Sequence, residues 1–313
     1  MSVEMMNMDK LYEAVASRGP VCLGLDTAAE YLPAEARSKA ANDAQAVLAF
    51  NKAIVDATLD TCACYKVQIA YYEELGLAGM QTYARTLQYV RSRGALVIAD
   101  IKRGDIADTA SRYAKAHFDG EFEADFVTLA PYMGMDSVEP WLSYIGARGK
   151  GAFVLMRTSN KGMKDFEYLE LARGGRVYDA VGDKLDELAE RFMGKQGYGA
   201  FGAVVGCTER DEAASIRTRR SSLFFLIPGY GAQGGAADDA ALLLKEGNGG
   251  VVNASRSILK AWSAPSPDGK LAQAGDQPSF ADAALAAREA SITMRDELRA
   301  ACSKAQPAPK APQ

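Results

Sequence analysis

The chain alternates between short apolar runs and longer stretches in which apolar residues recur at helical spacing. The runs are Val21-Cys-Leu-Gly-Leu25, Thr61-Cys-Ala-Cys-Tyr-Lys-Val67, the stretch from Ala95 to Asp100, and Asp125-Phe-Val-Thr-Leu129. Ala152-Phe-Val-Leu-Met156, Phe201-Gly-Ala-Val-Val205, Leu223-Phe-Phe-Leu-Ile227 and Gly250-Val-Val-Asn253 follow in the second half. Each is too short for a buried helix, and runs of this kind read as strands buried on both faces. Helical spacing occupies residues 5–18, 34–59, 71–93, about 105–117, 176–193 and 278–301. Gly19-Pro20 stops the first helix and Gly94 closes the third. Eight buried strands alternating with helices predict an α/β chain folded as a single (β/α)8 TIM barrel with extra N- and C-terminal helices. The barrel domain is expected over 1–302, and the Ala, Pro, Lys and Gln residues of 303–313 are expected to form a disordered tail. A doubly wound sheet would alternate too, but no Gly-x-Gly-x-x-Gly turn follows the first strand.

Composition narrows the partners. A formal net charge of −4 gives no global reason to expect nucleic acid or an anionic membrane, so any anion site must be local. No apolar stretch reaches the length needed to span a bilayer, and residues 1–10 are polar, without the apolar core of a signal peptide. Five cysteines, an odd number with no zinc-like pair of pairs, predict reduced thiols and a cytoplasmic location. The single histidine, His117, rules out a His-rich metal centre and is expected at a helix end.

In a (β/α)8 barrel the active site lies at the C-terminal ends of the strands. Those ends supply Asp26, Lys66, Asp100 with Lys102, Ser159, the glycine-rich 228–235 segment with Gln233, and Arg256. Side chains alternate along a strand, so Gly24 and Asp26, Cys64 and Lys66, and Asp100 and Lys102 each share an inward face. Polar caps at one strand end are ordinary, but polar groups at most of the ends point to a site. The glycine loop and Arg256 suit a phosphate ester, because glycines let backbone N–H groups approach an anion and a guanidinium grips phosphate oxygens. Lys66, Asp100, Lys102 and Asp105 alternate in sign. As a purely structural network they would be costly to desolvate. As a catalytic set they hold an ammonium between carboxylates, aimed at developing negative charge.

These motifs resemble the orotidine 5′-phosphate decarboxylase family. Asp100-Ile-Lys102-Arg-Gly-Asp105-Ile106 is similar to its Asp-x-Lys-x-x-Asp-Ile signature, and Leu23-Gly-Leu-Asp26, Tyr65-Lys66, Thr158-Ser159-Asn160, Pro228-Gly-Tyr-Gly-Ala-Gln-Gly-Gly235 and Ser255-Arg256 follow in the family's order. The forms Pro131-Tyr132-Met-Gly134 and Arg157-Thr-Ser-Asn160, with a long segment before the sixth strand, resemble its longer bacterial branch. Thr27 and Lys161 depart from that branch, where proline is common.

The resemblance implies decarboxylation of orotidine 5′-monophosphate to uridine 5′-monophosphate and CO2, the last step of de novo pyrimidine synthesis, with no metal and no organic cofactor. It implies that Lys102 protonates carbon 6 while Asp100 sits beside the substrate carboxylate, with Asp105 and Lys66 completing the catalytic set. Asp26 and Lys66 would hold the ribose and Ser159 the pyrimidine amide, while Gln233 and Arg256, with Pro228 and Gly234 of the loop, would receive the phosphate. Asp105, Ile106 and Thr109 would serve the other subunit of a homodimer with shared sites; a helix beginning near Asp105 would put Asp105 and Thr109 on one face. Two other readings are weighed. A magnesium-dependent sugar-phosphate decarboxylase or synthase of related fold would want an acidic ligand where Lys66 stands. A non-catalytic barrel that binds nucleotide phosphates would need none of the charges of strand three.

Overall fold

The computed structural model describes residues 5–231, 234–263 and 278–305. Eight parallel strands close into a barrel in chain order: β1 Val21–Gly24, β2 Cys64–Gln68, β3 Leu96–Arg103, β4 Phe126–Leu129, β5 Gly151–Arg157, β6 Phe201–Val205, β7 Phe225–Ile227 and β8 Gly250–Ala254. Helix α1, Asn7–Arg18, precedes the barrel. Short α2, Ala34–Ser38, and long α3, Asp43–Thr58, join β1 to β2, while α4, Ala70–Glu73, and α5, Gly76–Ser92, lead to β3. Then come α6, Ala107–Phe118, α7, Leu142–Arg148, α8, Val177–Arg191, and α9, Arg210–Arg219. The circuit ends with α10, Ala237–Ala241, α11, Arg256–Leu259, and the long α12, Phe280–Ala305.

The (β/α)8 class is thus as the periodicity predicts, and several helix boundaries differ. The expected 34–59 helix is broken: Asn42 is extended and its side chain accepts from the Gln45 amide at 2.9 Å, starting α3 afresh. The expected 71–93 helix breaks at Gly76, whose φ of +66° ends α4 and restarts the chain as α5. At the C-terminus α12 runs on to Ala305, so 303–305 are helical and not tail; the rest of the expected tail lies outside the described residues.

Two apolar layers hold the molecule. Between strands and helices lies the larger core, in which α12 packs along α3 and α10. Inside the barrel, Cys22, Cys64, Ile98, Phe126, Phe153, Val204, Phe224, Leu226 and Val251 fill the interior. Met8, Leu11 and Val15 of α1 are buried against this inner set, so the N-terminal helix stoppers the lower end of the barrel. Strand register levels the inward residues: Gly24 pairs with Lys66, Lys66 with Ile98, and Gln68 with Asp100. Polar side chains therefore collect one layer above the apolar filling, at the C-terminal ends. Gly24 is required there, because a Cβ would stand 2.0 Å from Ser255 Oγ.

Candidate active site

At that end of the barrel a cavity of about 480 Å³ opens between the strand ends. Asp26, Lys66, Asp100, Lys102, Ser159, Pro228 and Arg256, all expected from the sequence, line it together. Lys66 is buried and bridges two strands' carboxylates: Nζ lies 2.8 Å from Asp26 Oδ1 and 3.1 Å from Asp100 Oδ2. Burial alone would lower its pKa, but the two carboxylates outweigh it and hold the amine protonated, well above the usual lysine range. Burial likewise pushes Asp100 up, and the Lys66 and Lys102 ammoniums more than reverse this, holding it at about 2. Asp26 also accepts from Ser255 Oγ at 2.8 Å, which ties the first strand end to the last.

Lys102 reaches the cavity by an irregular route. Its Nζ donates to Asp100 Oδ1 at 2.6 Å, while its backbone has φ +44°. Such a conformation costs a non-glycine residue about 1–3 kcal/mol and persists only where its surroundings enforce it. Here β3 is bulged: it pairs as Ala99 with Val127 and then as Arg103 with Leu129, carrying extra residues between the two pairs. Simple alternation thus gives the correct side for Lys102 without the bulge that aims it. The Lys102 side chain is 46% exposed, facing the mouth, whereas that of Asp100 is 7% exposed beneath it.

The remaining expected residues fall in other places. Gly234 sits in the 228–235 loop with φ +93°, its N–H bonded to the Gly231 carbonyl at 3.0 Å, outside the cavity lining. Gln233 lies outside the described residues. Asp105, Ile106 and Thr109 do not line the cavity of their own chain. The expected helical face joining Asp105 to Thr109 is not formed. Ile106 is extended, at φ −106° and ψ 161°, and α6 begins only at Ala107, so Asp105 stands before the helix. Its Oδ1 accepts from the Ile106 amide at 2.8 Å, and Ile106 is 42% exposed. His117 lies in the last turn of α6, as expected, but is buried and packs against Tyr83 and Phe122. Thr27 is buried, donating to Asn51 Oδ1 at 2.7 Å, and so anchors the loop after β1.

A scan against protein-family models matches residues 19–266 to the orotidine 5′-phosphate decarboxylase / HUMPS family. An orotidine 5′-phosphate decarboxylase of Clostridium perfringens is 55% identical over 299 residues, covering 96% of this chain and all of that protein. That of Clostridium tetani is 50% identical over 293 residues, covering 94% and 98%. The chain belongs to the orotidine 5′-phosphate decarboxylase family. Among solved structures, the OMP decarboxylase of Leishmania donovani superposes with a TM-score of 0.72 at 29% identity, covering 96% of this chain and 99% of that one. The segment matched to the decarboxylase family holds all eight strands, while α1 and α12 lie outside it.

Several cavity residues of this decarboxylase-family chain escape a reading of strand-end charges. Gln68, two residues past Lys66 on the same face, donates from Nε2 to Asp100 Oδ2 at 2.9 Å. Thr128 on β4 donates to Asp100 Oδ1 at 2.8 Å. Tyr31, Tyr71 and Asn253 also line the cavity, and Leu155, Val204 and Leu226 give it an apolar wall. Parity carried one residue further would have found Gln68 and Thr128. Nothing in the local sequence marks Tyr31 or Tyr71.

Proposed function

We propose that this chain is an enzyme, a carboxy-lyase that converts orotidine 5′-monophosphate to uridine 5′-monophosphate and CO2 in pyrimidine synthesis. The observation that carries the reading is Lys102 Nζ held 2.6 Å from a buried, ionised Asp100 in a cavity of about 480 Å³. The bond from carbon 6 to the carboxylate carbon breaks with its electron pair left on carbon 6, and CO2 departs. Lys102, as an ammonium, stabilises that carbanion and then transfers a proton to it; the resulting amine recovers a proton from water. Asp100 stays anionic beside the leaving carboxylate and orients Lys102, while Lys66 keeps both Asp100 and Asp26 paired. The apolar wall of Leu155, Val204 and Leu226 suits neutral CO2 better than the carboxylate it came from.

Asp26 and Lys66 face the ribose hydroxyls in this reading, Ser159 the pyrimidine amide, and Arg256 with Pro228 and the following glycine loop the phosphate. Phosphate binding on that loop, remote from the reacting carbon, supplies energy for closure. Asp105, Ile106 and Thr109 serve a second copy of the chain in a homodimer. Supporting this are the exposure of Ile106 and the absence of all three from their own cavity. The five cysteines are free and buried, in keeping with a reducing, cytoplasmic setting. Among the described residues no helix is long and apolar enough to cross a membrane.

The test is to mix EDTA-treated protein with orotidine 5′-monophosphate and follow the loss of its absorbance as uridine 5′-monophosphate appears. Unchanged nucleotide refutes the reading, and magnesium-dependent turnover of a sugar phosphate in its place favours the sugar-phosphate branch of the fold.

A further inference from the structure

The β4 strand contributes one polar side chain to the cavity, Thr128, which is 1% exposed. Its hydroxyl makes three hydrogen bonds. Oγ1 accepts the backbone N–H of Ile101 at 3.0 Å and that of Lys102 at 2.9 Å, and donates to Asp100 Oδ1 at 2.8 Å. The two N–H groups are those of the bulge, where β3 leaves register with β4 and the Lys102 backbone turns to φ +44°. In a regular parallel ladder β4 carbonyls would have met donors of β3; here a side-chain oxygen takes their place. One hydroxyl therefore both holds the backbone that aims Lys102 and donates to the carboxylate that Lys102 Nζ touches at 2.6 Å.

We propose that Thr128 is a positioning residue for the decarboxylation: it fixes the β3 bulge and the Asp100 carboxylate as one unit, so that Lys102 is presented to carbon 6 at the required angle. This rests on the reading under Proposed function. Removing the hydroxyl takes this partner from the buried Ile101 N–H and the half-buried Lys102 N–H and frees Asp100 Oδ1 from one donor, so β3 relaxes toward regular strand geometry. Because Thr128 acts through Lys102 and Asp100, its loss falls on kcat, with the nucleotide's phosphate and ribose contacts unchanged.

The experiment compares Thr128→Val, Thr128→Ser and Thr128→Cys with the wild type. It measures kcat, KM and uridine 5′-monophosphate binding, with crystal structures of the wild type and the Val and Ser variants. Thr128→Val should lose on the order of 100-fold in kcat, with KM and product binding within about threefold. Thr128→Ser should recover most of kcat, and Thr128→Cys, whose thiol is a weak partner, should fall between them. Should the Val variant fail to fold, the graded order of Ser above Cys still decides. In crystals, Lys102 should keep positive φ in the Ser variant and leave it in the Val variant. A Val variant within threefold of wild-type kcat, equal losses in Ser and Val, or an unmoved Lys102 in the Val crystal would overturn the assignment. A wild type that leaves orotidine 5′-monophosphate intact would refute the decarboxylase reading instead, and the crystal comparison would still judge the role of Thr128 in the bulge.

Discussion

Lys102 Nζ and Asp100 Oδ1 are 2.6 Å apart although the two residues are separated by a single position in one strand. The contact exists because the backbone turns to positive φ at Lys102, bringing the ammonium back over the carboxylate. In the proposed mechanism Lys102→Ala removes both the charge that meets the carbanion and the proton it needs. Turnover should fall by on the order of 10⁴-fold or more, while uridine 5′-monophosphate binding stays measurable by calorimetry. Near-normal turnover in this variant would contradict the assigned role.

The proposed sharing of sites between two subunits has a complementation test. Lys102→Ala and Asp105→Ala homodimers should each be nearly inactive. In a mixed dimer, one site joins an intact Lys102 to an intact partner Asp105, so mixing and re-equilibrating equal amounts should restore up to about a quarter of wild-type activity. Sites built wholly within one chain would gain nothing on mixing.

His117 should give the protein a measurable acid sensitivity away from the active site. Burial, with a smaller effect of Arg103, pushes its pKa down from 6.5 to about 4. The unfolded chain therefore takes up this proton first as pH falls. Stability from the neutral imidazole is complete above about 6.5 and is lost as pH drops toward 4, by roughly 3 kcal/mol at most. His117→Phe, which fits between Tyr83 and Phe122, should flatten the decline of Tm across that window. An unchanged slope would assign the decline to other groups.

The seam between β1 and β8 can be probed by size alone. Gly24→Ala would put a methyl 2.0 Å from Ser255 Oγ and should destabilise by about 1–3 kcal/mol in urea. Ser255→Ala should be milder, although it removes the 2.8 Å bond to Asp26. The double variant should be more stable than Gly24→Ala by itself, since the added methyl then lies 3.0 Å from the Ser255 Cβ and no longer meets the hydroxyl. A double variant no better than Gly24→Ala would place the strain elsewhere.

Much of this is legible in the sequence. Eight apolar runs are enough to give the barrel, because a parallel strand buried on both faces has no other pattern to show. Placement of Asp26, Lys66, Asp100 and Arg256 follows from the strand ends, which a closed parallel barrel gathers around one cavity. What stayed hidden depends on single torsions and on contacts distant in sequence. Nothing near Lys102 announces positive φ, because the oxygen that stabilises it belongs to Thr128 on the next strand. The start of α6 differs from expectation because Ile106 is extended and Ala107 has φ +47°, torsions their composition does not show. Asp105 is thereby released from the helix.

Met8, Leu11 and Val15 seal the lower end of the barrel against its innermost side chains. Among the described residues the cavity is therefore closed below and opens at the C-terminal ends of the strands. Nucleotide enters, and both products depart, past Lys102 and the glycine loop. CO2, small and uncharged, can slip through gaps that a phosphorylated nucleoside cannot, so a loop closed over the phosphate would let the gas escape first. Traffic through that opening would then set the order of product release before any side chain does.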